Sequence, residues 1–153
     1  MPILASAFLG LTAEHRAALA WFADREGQEI GWPEPQDGLL LLNKAKGIHK
    51  PKGWDYALSV RQSLGSPYPD GDPEPSADGG WTYRYFQEGQ NPAARDKDFT
   101  NRALMRNQAD DVPVAVVRQL RSKPYGRYVV LGLARVVGWN EGYFELQHYR
   151  VRT

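Results

Sequence analysis

The stretch Val112-Pro113-Val114-Ala115-Val116-Val117-Arg118-Gln119-Leu120 decides the fold. It is a β-branched run too apolar for a surface loop, and β-branched side chains suit a pleated, buried surface. A longer run of the same kind follows from Tyr128 to Trp139, and Asn140-Glu141-Gly142 after it is a tight hairpin signal. Phe144, Leu146 and His148 then alternate with Glu145 and Gln147, the period of a strand with one buried face. Working back toward the N-terminus, Trp81-Thr82-Tyr83-Arg84-Tyr85-Phe86 places Trp81, Tyr83 and Tyr85 on one face of another strand. Tyr56, Leu58 and Val60 alternate with Ala57, Ser59 and Arg61 in the same way, and Leu39 to Leu42 is a short apolar run expected to be a buried strand.

Helices are few. Thr12 reads as the N-cap of a helix running to about Glu26, with Ala18, Trp21, Phe22 and Arg25 at helical spacing, His15 on the exposed side and Gly27 at the end. Asp96 or Asp98 caps a second helix that runs to about Gln108, with Phe99, Arg102, Ala103 and Arg106 along one side. Trp32 to Gly38, Gly47 to Gly53 and the Pro-, Gly- and Asp-rich segment Ser66 to Gly80 read as loops. The sum is an α+β domain, a curved, barrel-like β-sheet flanked by a few helices.

At 153 residues the chain is long enough to bury a core as one structural unit. Five Trp, eight Tyr and five Phe make it rich in aromatics. Its net charge of +1 means that a nucleic-acid partner would need a local basic patch. The absence of cysteine excludes disulfides and thiolate metal sites. Met1 to Leu11 is apolar but short and has no charged leader, and no stretch approaches the roughly 20 apolar residues of a membrane helix. A cytoplasmic protein, nucleoid-associated when bound to DNA, is the expectation.

Catalytic signals are missing from the sequence. The histidines at 15, 49 and 148 share no metal-ligand spacing, and neither a nucleophile-elbow GxSxG nor a phosphate-binding P-loop occurs. Asp70, Asp72 and Glu74 lie together, but in a Pro-rich loop whose simplest reading is solvated. No catalytic residue, metal or cofactor is expected.

One ordered set of motifs runs over about two-thirds of the chain. Gly47-Ile48-His49 opens it, followed by Tyr56-Ala57-Leu58-Ser59-Val60, Ser66-Pro67-Tyr68-Pro69-Asp70-Gly71 and Tyr83-Arg84-Tyr85-Phe86-Gln87-Glu88-Gly89. Then come Thr100-Asn101-Arg102-Ala103-Leu104, Val112-Pro113-Val114-Ala115-Val116-Val117-Arg118, Arg127-Tyr128-Val129-Val130 and a closing Tyr149-Arg150-Val151-Arg152. In this order the chain resembles an SRA (YDG-type) domain, with its GIH, YSL-like, GGYxDD, YTGSGG, TNRAL and PVRVVR elements. It is most similar to the SRA-like reader domains of HNH-type modification-dependent restriction endonucleases. Gly126-Arg127-Tyr128 stands where that family has YDG, and Gly71 where it has a second acid.

The resemblance implies an SRA or PUA-like fold, with residues 1–46 as an N-terminal helix and extension packed on a reader domain of residues 47–153. It implies a non-catalytic module that flips 5-methylcytosine or 5-hydroxymethylcytosine out of duplex DNA into an aromatic pocket. Any nuclease would be a separate domain or partner. A flipped base needs aromatic faces, an acceptor for the cytosine N4 amine and polar partners for its edge. Tyr68 offers one face, and Tyr85 or Tyr83 the other. Asp70 is the best acceptor, Gln87 and Glu88 are further polar partners, and Ser66 and Pro67 shape the turn. His49, Lys50, Pro51 and Lys52 correspond to the element that enters the minor groove, with Pro51 as a wedge, and Arg84, Arg95 and Lys97 are phosphate candidates. A different PUA-like domain, binding RNA or a nucleotide-like small molecule, is the alternative reading.

Overall fold

A computed structural model of the chain describes residues 10–64, 72–89, 91, 93, 98–122 and 124–149. Among them are two helices, α1 (Ala13–Asp24) and α2 (Phe99–Asp110). The strands are β1 (Glu29–Ile30), β2 (Ile48–His49), β3 (Ser59–Gln62), β4 (Glu74–Pro75), β5 (Trp81–Phe86), β6 (Val114–Arg121), β7 (Arg127–Asn140) and β8 (Tyr143–Tyr149). All eight belong to one sheet, ordered β2-β3-β6-β7-β8-β5-β4, with β1 added to the start of β7. β3 and β6 run parallel and the other described pairs antiparallel. The sheet is α+β in character and curved, but open: β2 and β4 stand at its two ends.

Two bulges in β7 account for much of the curvature, since an extra residue in one strand of a pair bends it and sharpens its twist. Val116 faces Gly132 and Val117 faces Val130, so Leu131 has no residue opposite it. Its carbonyl accepts a hydrogen bond from the Trp81 indole at 3.1 Å instead. Gly132 beside it has φ +127°, a backbone angle that disfavours any side chain, and a Cβ there would run into the Glu26 carboxylate. The second bulge leaves Val137 unmatched between Val136 and Gly138. β7 and β8 are joined by Glu141 and Gly142, at φ +53° and +93°, the left-handed pair of a two-residue hairpin turn.

Alternation along the long strands divides the core between the two faces. Val114 and Val116 join Tyr83, Tyr85, Val136, Phe144 and Leu146 under α2, which contributes Ala103 and Leu104. Ala115 and Val117 join Val130 and Leu133 under α1, which contributes Ala18, Leu19 and Phe22. Both helices begin at a predicted cap: the Thr12 hydroxyl accepts from the His15 amide at 3.1 Å, and the Asp98 carboxylate from the Thr100 amide at 2.9 Å. None of the described helices is long and apolar enough to cross a membrane.

Three sequence expectations are corrected. Leu39–Leu42 is irregular, apart from one bridge between Gln36 and Leu39, although Leu41 and Leu42 are buried. Side chains take the place of a ladder there: the Leu40 carbonyl accepts from His49 Nε2 at 2.8 Å and the Leu41 carbonyl from Ser59 Oγ at 2.7 Å. The helix α1 is turned so that His15, Ala18, Leu19 and Phe22 face the sheet. His15 is 3% exposed, with its ring centroid 4.4 Å from that of Trp54, while Trp21 lies at the margin under the Arg25 guanidinium. The helix α2 buries Thr100, Asn101, Ala103, Leu104 and Asn107, leaving Phe99 outside. Its two asparagines are inside because they bond backbone: Asn107 receives the Ala57 amide at 2.9 Å and donates to the Ala57 and Val112 carbonyls at 3.0 and 3.1 Å.

Candidate nucleic-acid interface

The resemblance motifs meet around the other asparagine. Asn101 accepts from the Glu88 amide and donates to the Glu88 carbonyl, both at 2.8 Å, and the Glu88 carboxylate accepts from the Ile48 amide at 3.0 Å. Burial pushes the Glu88 carboxyl up from its ordinary value. The Ile48 amide pulls it back down, nearby Asp98 adds to the rise, and Lys46 and the Gly47 amide oppose it. Gln87 donates to the Asn91 carbonyl at 2.6 Å and accepts from the Trp139 indole at 2.8 Å. Tyr83 and Tyr85 are buried core residues, and the Tyr85 hydroxyl lies where a Cβ on residue 47 would be, so Gly47 is needed for contact between β5 and the start of β2. These four expected pocket residues thus hold the β2, β5, β8 and α2 segments together.

Ser66, Pro67, Tyr68 and Asp70, with Arg95 and Lys97, lie outside the described residues. Both flanks of the first group are tied to β6. The Leu64 amide donates to Gln119 Oε1 at 2.8 Å, and the Asp72 carboxylate pairs with the Arg118 guanidinium. Of the expected minor-groove loop, Lys52 is exposed and Lys50 half-buried. His49 and Pro51 are buried, so no wedge is presented at the surface. Burial lowers the His49 pKa from its ordinary value, against the pull of its bond to the Leu40 carbonyl. Arg84 is exposed, with its guanidinium 4.1 Å over the Tyr143 ring.

Next to Gln119 the structure opens a groove of about 870 Å³ that the sequence reading missed. One wall comes from the β1–β2 connection and from Arg61 of β3, and the other from the β6–β7 hairpin. Lys44, Arg61, Arg121 and Arg127 line it, and none of its described lining residues is acidic. Arg61 is 9% exposed, fixed by bonds to the Asn43 carbonyl at 2.9 Å and to the Ser63 hydroxyl. Its Nε is buried with no hydrogen-bond partner, and no carboxylate pairs with it among the described residues. Arg127 reaches Glu29 at 3.2 Å, at the outer edge. The aromatic components are Trp32, edge-to-face on Tyr128 with centroids 5.6 Å apart, and Tyr125, which is 77% exposed. These residues are scattered in sequence, and only the density of basic residues between Arg118 and Arg127 hints at them.

No protein-family model matches the sequence, and no curated protein matches it. Two solved structures do. A crystal structure of KRYPTONITE in complex with mCHH DNA, H3(1-15) peptide and SAH aligns with 69% of this chain at 22% identity and a TM-score of 0.46. A second, in complex with mCHG DNA and SAH, aligns with 69% at 21% identity and a TM-score of 0.42. The alignments cover 24% and 25% of those chains, so this chain spans about a quarter of the length of the proteins it matches.

Proposed function

We propose that this chain is a non-catalytic DNA-binding module that reads 5-methylcytosine or 5-hydroxymethylcytosine in duplex DNA by extruding the base. It would serve as the specificity part of a modification-dependent restriction system, with the nuclease in another domain or partner. The observation that carries the reading is the groove: four cations and three aromatic rings without a described acid, beside the β6 residues that hold Leu64 and Asp72, on either side of the Ser66–Gly71 segment. Phosphate contacts position a nucleic acid and base contacts specify it. The cations serve the first role, and Tyr68 and Asp70 are assigned the second.

Extruding a base costs a few kcal/mol, and stacking on an aromatic ring returns about 1–3 kcal/mol. One ring therefore roughly balances the cost, and discrimination must come from contacts to the base edge and its 5-substituent. Asp70 is assigned to accept from the cytosine N4 amine. Tyr83 and Tyr85, expected to offer the second stacking face, are packed in the core, so no stacking role is assigned to them. The test is binding to duplexes that differ only in carrying cytosine, 5-methylcytosine or 5-hydroxymethylcytosine. Equal affinity for all three overturns the reading. Tyr68→Ala is expected to abolish the preference and keep the salt-dependent background binding. The duplexes are expected to stay intact with Mg²⁺ or Mn²⁺, and cleavage would contradict a non-catalytic role.

A further inference from the structure

Arg61 is the least exposed cation of the groove, and no carboxylate among the described residues neutralises it. A guanidinium withdrawn from water without a carboxylate is unfavourable unless an anion completes it. Lys44 lies on the same wall, with its Nζ 5.9 Å from the Trp32 ring, and the Arg61 guanidinium is 5.7 Å from that ring. The anion site thus adjoins an aromatic surface. Across the groove Arg121 donates to the Tyr125 carbonyl at 3.1 Å, fixing the hairpin that carries the exposed Tyr125 ring.

Duplex DNA is a poor match for the aromatic part of this groove. Its phosphates suit the cations, but its bases are stacked on one another and have no free face for Trp32 or Tyr125. An unpaired nucleotide has both a phosphate and a free ring. The volume of about 870 Å³ lies in the range of small-ligand sites and far exceeds what one phosphate fills. We infer that the groove is a second nucleic-acid site, taking one unpaired nucleotide with its phosphodiester at Arg61 and Lys44 and its base against Trp32 and Tyr125. The inference rests on the chain being a nucleic-acid binder; it adds a single-strand contact to the roles assigned to Tyr68 and Asp70. Such a contact suits a module that opens a duplex locally, because an opened duplex supplies unpaired nucleotides.

The experiment measures binding of a fluorescent six-nucleotide strand of unmodified deoxycytidine and of an abasic strand with the same phosphates. The deoxycytidine strand is expected to bind about tenfold more tightly than the abasic one. Tyr125→Ala and Arg121→Gln change exposed residues, so loss of folding does not obscure the result. Each is expected to weaken the deoxycytidine strand about three- to tenfold, Arg121→Gln by releasing the hairpin that carries Tyr125. Absence of binding, equal binding of the abasic strand, or wild-type affinity in both variants overturns the inference. In parallel, Tyr125→Ala is expected to retain any duplex preference for modified cytosine to within about twofold. Loss of strand binding in the variants with no duplex preference in the wild type would uphold the groove and sink the modified-base reading. Duplex preference with unaltered strand binding in the variants would do the reverse.

Discussion

Asn107 shows how much of this fold rests on single polar side chains. It satisfies the Ala57 amide, the Ala57 carbonyl and the Val112 carbonyl, all buried beneath α2. Leaving one buried polar group unpaired costs about 1–3 kcal/mol. Asn107→Ala is therefore expected to lower the unfolding free energy by at least about 3 kcal/mol, read as a shift of the urea midpoint. A loss below about 1 kcal/mol would contradict the accounting. His15 makes a pH-dependent contribution. Burial lowers its pKa from 6.5 to about 4. Between those values the unfolded chain takes up a proton that the folded chain refuses, so stability falls as pH drops from about 6.5 to about 4. The loss is on the order of 3 kcal/mol and is absent above that window. His49, lowered in the same direction, adds to the fall. His15→Leu is expected to flatten stability against pH over this range, and an unchanged slope would assign the effect to other groups.

At the scale of elements, the β7–β8 hairpin follows directly from local chemistry. Glu141 and Gly142 both occupy left-handed backbone, which glycine tolerates and glutamate does not favour. Glu141→Asn, which makes the turn Asn-Gly, is expected to raise stability by roughly 0.5 kcal/mol in thermal unfolding, and destabilisation would contradict the turn geometry. The longer strands and both helix caps were legible because β-branched runs, period-two alternation and capping side chains act within a few residues of one another. The buried faces of the helices were less legible. Asn101 and Asn107 are inside for hydrogen bonds to segments distant in sequence, and His15 for a ring contact with Trp54, neither of which an apolar period records. Leu39–Leu42 was misread for a related reason. An apolar run shows burial, but whether its carbonyls meet a strand or side chains such as His49 and Ser59 depends on the rest of the fold.

For the whole molecule, a net charge of +1 conceals a strongly uneven distribution. The sheet brings Lys44, Arg61, Arg121 and Arg127 to one groove, while Asp72, Asp111 and Glu29 are used in ion pairs with other arginines or at its margin. Such a surface predicts binding that weakens steeply with salt whatever the sequence, and the proposed base extrusion would add discrimination. The most direct test is the ratio of dissociation constants for two duplexes identical but for one 5-methyl- or 5-hydroxymethylcytosine, measured by fluorescence anisotropy at several salt concentrations. The account predicts affinity for both that falls with salt and a preference for the modified duplex of about tenfold or more, roughly 1.4 kcal/mol. Equal affinity for the modified and unmodified duplexes at every salt concentration would contradict it.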